Sequence, residues 1–200
     1  MKLILASSSP YRVKMLAQLR LPFDICSPGI DETPLAGEAV DDYVLRLAEA
    51  KTRAVAARYP DSLVIGSDQA CTLNGLILGK PADADAARKH LKLCSGAWVE
   101  FRTGLALLNT ATGTMRKRVE AYRVKFRTLA DDEIRGYIRL DNPLDCAGCF
   151  KVEAAGIALF DALDGRDYHT LLGLPMIALV DMLREEGLNP LLAPGYSEPG

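Results

Sequence analysis

The run Leu63-Val64-Ile65-Gly66-Ser67-Asp68-Gln69 constrains the fold more than any other segment. It is short, apolar at its start and not amphipathic, so it reads as a strand buried on both faces. Such a strand needs a layer on each side of its sheet. Segments with helical spacing supply those layers, alternating with strand-like runs through the first third of the chain. Asn74-Gly75 then gives a two-residue hairpin signal. The expected fold class is therefore α/β, with a mixed central sheet flanked by helices. Asp68 is expected where the central strand stops, a position that puts a carboxylate at the mouth of a site rather than in the core.

Leu3 to Ala6 and Phe23 to Cys26 read as strands. Between them, Ser9-Pro10 provides an N-cap and a proline at the first helical position, for a helix to about Leu19. A second helix is expected from about Val40 to Arg58, with Val40, Val44, Leu47 and Val55 on its apolar face. Ala84 to Leu93 reads as a helix, and Val99 to Asn109 and Met115 to Arg127 as strands turned by Ala111-Thr112-Gly113. Thr128-x-x-Asp131 resembles a capping box for a helix to about Leu140, which Asn142-Pro143 breaks. A strand is expected around Cys149 to Glu153, and a last helix opens at Leu174-Pro175. No linker cuts the chain, so residues 1–200 are expected to form one domain with an extended or flexible tail over 189–200.

A net charge of -2 argues against a broad surface for a nucleic-acid polymer, which draws on clustered Lys and Arg, but leaves room for a small basic pocket. No apolar stretch approaches the roughly 18 residues of a membrane span. Ser, Pro and Arg interrupt the apolar start Met1 to Ala6, so no secretory signal and a cytoplasmic location are expected. The five cysteines then read as free thiols. Cys146-Ala147-Gly148-Cys149 is formally a C-x-x-C, but it has no second pair to complete a zinc site and runs into an alternating segment rather than a helix.

Three constellations carry chemistry. Ser7-Ser8-Ser9-Pro10-Tyr11-Arg12 sets a serine-rich turn, a helix N-terminus and a guanidinium together, as an anion site requires. The same residues also read as an ordinary cap with a solvent-facing Arg. Lys51 falls on the apolar face of the second helix, where it either snorkels or reaches a partner such as a phosphate. Asp31-Glu32 with Asp68 would suit a Mg²⁺-like ion, and read equally as loop acids in water. Lys80, in Leu78-Gly79-Lys80-Pro81, returns a base toward Asp68. That segment is not a P-loop, having three residues between its glycines and Pro where Ser or Thr must hold the metal.

Taken in order, Leu5-Ala6-Ser7-Ser8-Ser9-Pro10-Tyr11-Arg12, Asp31-Glu32, Tyr43-Val44-x-Arg46-Leu47-Ala48-x-x-Lys51, Gly66-Ser67-Asp68-Gln69, Leu78-Gly79-Lys80-Pro81 and Leu172-Gly173-Leu174-Pro175 resemble the Maf family of nucleoside triphosphate pyrophosphatases. The resemblance covers almost the whole chain. It implies a Maf/ITPase-like fold with two lobes around a deep nucleotide cleft, a divalent metal such as magnesium or manganese, and often a homodimer. It also implies cleavage of a nucleoside triphosphate between the α and β phosphates. Asp68 would be the general base, and Glu32 would help it hold the metal. Ser8, Arg12, Lys51 and Lys80 would bind the triphosphate. Val13 stands where many members carry a second Arg.

Within the family, Glu153, Gln69 and Tyr11 look like the branch acting on 7-methyl-GTP. A dTTP and UTP branch typically has Gln where Glu153 stands. A carboxylate accepts both hydrogen bonds of the guanine N1–H and N2–H₂ edge, and a ring made cationic by N7-methylation favours an aromatic such as Tyr11. The alternatives are a pyrophosphatase of dTTP and UTP, or a nucleotide-binding regulator of septation with little turnover.

Overall fold

The computed structural model describes residues 1–192. Its strands are β1 (Lys2–Leu5), β2 (Phe23–Ile25), β3 (Ser62–Leu73), β4 (Leu76–Leu78), β5 (Trp98–Asn109), β6 (Met115–Phe126) and β7 (Phe160–Gly165). Its helices are α1 (Pro10–Ala17), α2 (Val40–Ala56), α3 (Ala84–Cys94), α4 (Asp131–Asp141), α5 (Tyr168–Leu171) and α6 (Met176–Glu185). The strands hydrogen-bond in the order β2-β1-β3-β5-β6-β7, with β4 on β3. β1 is parallel to both β2 and β3, whereas β3–β4 and β6–β7 are antiparallel, so the sheet is mixed as expected.

The chain forms two compact units. The first comprises Met1–Gln69, Thr103–Glu120 and the chain after Arg166; the second comprises Ala70–Arg102 and Ala121–Arg166. In the first unit, strand alternation sorts the core into two faces. Leu3, Leu5, Leu63 and Ile65 pack with Leu16, Leu105, Leu107, Leu179 and Leu183 on one face. Ile4, Ala6 and Val64 pack with Val55 of α2 on the other. Two glycines on the α2 side let that helix lie directly on the strands. A Cβ on Gly66 would come 2.2 Å from the Ala48 carbonyl oxygen, and one on Gly104 would come 2.2 Å from the Val44 carbonyl oxygen.

In the second unit, Phe101, Phe126, Phe150 and Phe160 meet edge to face at centroid separations of 4.8–5.7 Å. The Asn74-Gly75 hairpin forms, with φ of 51° and 80° at the two turn residues and Leu73 paired to Leu76.

Three expectations need correction. β3 does not stop at Asp68 but runs on to Leu73, because its last three residues find partners in β4. Residues 149–153 are not a strand. A 3-10 turn covers Ala147–Cys149, Gly148 and Cys149 take φ of 77° and 59°, and the amides of Ala154 and Gly156 both close on the Lys151 carbonyl. The alternation there reports loop side chains tucked inward at Phe150 and Val152, both buried. The helix after Thr128 starts at Asp131, and Glu133 rather than Thr128 satisfies its end, accepting from the Ala130 amide at 2.8 Å. Pro190–Leu192 makes a 3-10 turn within the expected extended tail, and the rest of that tail lies outside the described residues.

Candidate functional site

The first unit gathers most of the expected site residues. Lys51 lies on the sheet-facing side of α2 and is buried. It does not snorkel: its Nζ donates to Asp68 Oδ1 at 2.6 Å and lies 2.7 Å from Glu32 Oε1. Gly66 makes the pairing feasible. Residues 64, 66 and 68 share the α2 face of β3, and the missing side chain at 66 brings the helix close enough for Lys51 to reach two residues further along the strand. A carboxylate 7% exposed in mid-strand is tolerated because its charge is matched by that ammonium.

Arg12, at the start of α1, is half-buried and donates from Nε to the Gly173 carbonyl at 2.7 Å. Desolvation pulls the pKa of its guanidinium down, and the carboxylates of Asp68 and Glu32 push it back up. Arg12 therefore belongs to the same electrostatic cluster. Ser8 is exposed in the turn before α1. Ser9 sits at the N-cap position without capping through its hydroxyl; instead its amide donates to Ser7 Oγ at 3.1 Å. Tyr11 is half-buried against the larger apolar cluster.

Gln69 lies on the opposite face of β3 from Asp68. Its Nε2 donates to Thr103 Oγ1, the Thr170 carbonyl and the Leu171 carbonyl at 3.0, 2.7 and 3.2 Å. Ser67 Oγ, on that face too, lies 2.9 Å from the carbonyls of Gly104 and Gly173. These bonds tie the 170–173 segment to the strand that carries Asp68. Lys80 and Glu153 are exposed and belong to the second unit, Lys80 following β4 and Glu153 in the turn after Phe150.

The sequence profile of the family described as "Maf-like protein" matches residues 2–186. The chain belongs to the Maf-like family. Among solved structures it is similar to the Ham1 protein of Staphylococcus aureus, at 15% identity over 66% of this chain and 73% of that one, with a TM-score of 0.45. It is likewise similar to a HAM1 protein from Coxiella burnetii (13% identity, 63% and 73% covered, TM-score 0.44). A nucleoside-triphosphatase / dITP/XTP pyrophosphatase from Mycobacterium abscessus gives 17% identity, 64% and 76% covered, and a TM-score of 0.39.

For the Maf-like chain the donor set around Lys51 bears on the metal. Two carboxylate oxygens, from Glu32 and Asp68, converge on one cationic atom. An all-oxygen pair of this kind suits a hard divalent ion that completes its shell with water and phosphate oxygens. No group of three or more His, Cys, Asp and Glu side chains able to hold a metal occurs among the described residues.

Some contributors escaped the sequence reading. Tyr43 Oη donates to the Glu32 carbonyl at 3.0 Å, and burial together with Asp68 and Glu32 raises its pKa. Thr103, Thr170 and Gly173 anchor Gln69, Ser67 and Arg12. Tyr43 and Gly173 lie inside the quoted family motifs, which was their one signal; Thr103 and Thr170 had none. Among the described residues, no helix is long and apolar enough to cross a membrane.

Proposed function

We propose that this Maf-like enzyme, a nucleoside triphosphate pyrophosphatase by family, acts on 7-methyl-GTP to give 7-methyl-GMP and diphosphate, removing a modified nucleotide from the pool. The observation that carries the hydrolytic part of the reading is the Lys51 ammonium held between Asp68 and Glu32, with Arg12 in the same cluster, while the choice of nucleobase rests on the family resemblance of Tyr11, Gln69 and Glu153. A nucleotide hydrolase needs a base near concentrated positive charge, and these four residues supply both.

In the proposed reaction Asp68 takes the proton of the attacking water. Its Oδ1 is held by Lys51, which leaves Oδ2 for that proton. The water oxygen bonds to the α-phosphorus, and the α–β bridging oxygen departs with the pyrophosphate. Arg12, Lys51 and Ser8 bind phosphate oxygens, and the two cations stabilise the charge that builds on the leaving group. The family resemblance assigns Lys80 to the same task. When bound, a divalent ion held by Glu32 and Asp68 would polarise the phosphoryl oxygens. Tyr11 and Glu153 are proposed to read the base, by stacking and by accepting from the guanine edge, while Gln69 positions the segment around Thr170.

The test is pyrophosphate release from 7-methyl-GTP, GTP, dTTP and UTP, with and without a chelator. Highest kcat/KM on 7-methyl-GTP, lost on chelation, is the expected result. Preference for dTTP or UTP would replace the base assignment, and no turnover on any nucleotide would defeat the enzymatic reading. Glu153→Gln should narrow the gap between guanine and pyrimidine substrates; an unchanged gap would remove Glu153 from the base site.

A further inference from the structure

The residues Asp31 to Gly37 are exposed and belong to neither helix nor strand, so no apolar core holds them in place. Yet this loop brings Glu32, with a side chain 56% exposed, to within 2.7 Å of a buried ammonium. What fixes the loop is a set of polar bonds from α2. Arg46 donates from Nε and a terminal nitrogen to the two carboxylate oxygens of Glu38, at 2.6 and 2.7 Å. The same terminal nitrogen donates to the Thr33 carbonyl at 3.3 Å. Glu38 Oε2 also accepts the Leu35 amide at 3.1 Å, and the Glu38 amide returns to the Leu35 carbonyl at 3.1 Å. Tyr43, one turn earlier on α2, donates to the carbonyl of Glu32 itself and carries the Arg46 guanidinium 5.7 Å from its ring centroid.

We propose that Arg46 and Glu38 are positioning residues, whose two-bonded ion pair, assisted by Tyr43, clamps the 31–38 loop so that Glu32 stays on Lys51 beside Asp68. The planar guanidinium fork meets the carboxylate in a fixed orientation, which a flexible ammonium would not do. The clamp acts through Glu32 and touches no substrate. It grips the backbone at Glu32 and at Thr33, the residue next to it, and α2 carries Arg46, Tyr43 and Lys51. One helix therefore sets the positions of the acid and of its ammonium partner. The inference rests on the pyrophosphatase reading for its catalytic consequence, though not for its structural one.

The experiment uses the full chain with Arg46→Gln, Glu38→Gln, and Arg46→Gln combined with Glu32→Gln. Hydrogen exchange without nucleotide reads the clamp directly. Amides of the 33–38 segment should exchange at least about tenfold faster in each single variant, with the α2 core amides unchanged. In turnover, kcat should fall roughly tenfold with KM little altered, and Arg46→Gln should cost less than about twofold once Glu32 is already Gln. Unchanged exchange would overturn the clamp; full, additive losses in the double variant would overturn its action through Glu32. If the wild-type chain releases no pyrophosphate from any nucleotide, the pyrophosphatase reading fails, and exchange alone still decides whether the pair holds the loop.

Discussion

Asp68 and Lys51 are each matched by the other, and neither is well matched by water. Removing the ammonium alone leaves a carboxylate 7% exposed on a strand, so Lys51→Met should destabilise the fold by about 3–5 kcal/mol. Equilibrium urea unfolding checks this, and Lys51→Met/Asp68→Asn should recover most of the loss. Asp68→Asn by itself keeps the shape and deletes the base. Pyrophosphate release should fall by about 10²–10⁴ with the fold intact, and near wild-type kcat would send the general base elsewhere. Glu38 offers a third reading at this scale. Arg46, then the Leu35 amide, hold its carboxyl at about 2 instead of 4.5. A depressed pKa stabilises the folded loop above pH 4.5, and that contribution declines below 4.5 and is gone below about 2. The Leu35 amide shift should therefore titrate with a midpoint near 2 and go flat in Glu38→Gln; a midpoint near 4.5 would mean the ion pair does not form in solution.

At the level of elements, α2 decides the geometry of the cluster, and Gly66 and Gly104 decide where α2 sits. Gly104→Ala drives a methyl group into helix backbone, and Gly66→Ala drives one into the Ala48 carbonyl as well as the Thr52 hydroxyl. Each should cost at least about 1–3 kcal/mol and lower Tm. Gly66→Ala should also lower kcat, since it pushes Lys51 off Asp68, and unaltered turnover would show that the helix accommodates the shift. Much of this layer was legible beforehand. Apolar spacing located α2, Pro10 located the start of α1, and Asn74-Gly75 located the hairpin, because each is a local rule that tertiary structure had no reason to override. Asp68 misled because a carboxylate normally ends a buried strand; the ammonium that lets the strand continue comes from another element and leaves no mark in the strand's own sequence. Residues 149–153 misled for a related reason. Alternate burial is a property of packing, and a loop pinned at Lys151 produces it as well as a strand does.

For the molecule as a whole, β3, β5 and β6 each contribute residues to both compact units. Unfolding should then be a single transition. The thiols test it: Cys26 reports on the first unit and Cys94 on the second, both buried and both free. Burial pushes Cys94 and Cys149 up to about 12, so neither is a competent nucleophile in the native state at pH 8. Pulsed alkylation across a urea series should label Cys26 and Cys94 at one midpoint, and two separated midpoints would show that the units open independently. At this scale the sequence conveyed the α/β class and the order of elements. The bounds of the two units lay beyond it, because those bounds cut through strands rather than between them. The two glycines under α2 carry a last consequence. A saturation screen would score Gly66 and Gly104 among the least replaceable positions, although neither has a side chain with which to touch a nucleotide. That intolerance would record the clearance between a helix and a sheet, and a fitness map taken at face value would mistake a matter of fit for a matter of chemistry.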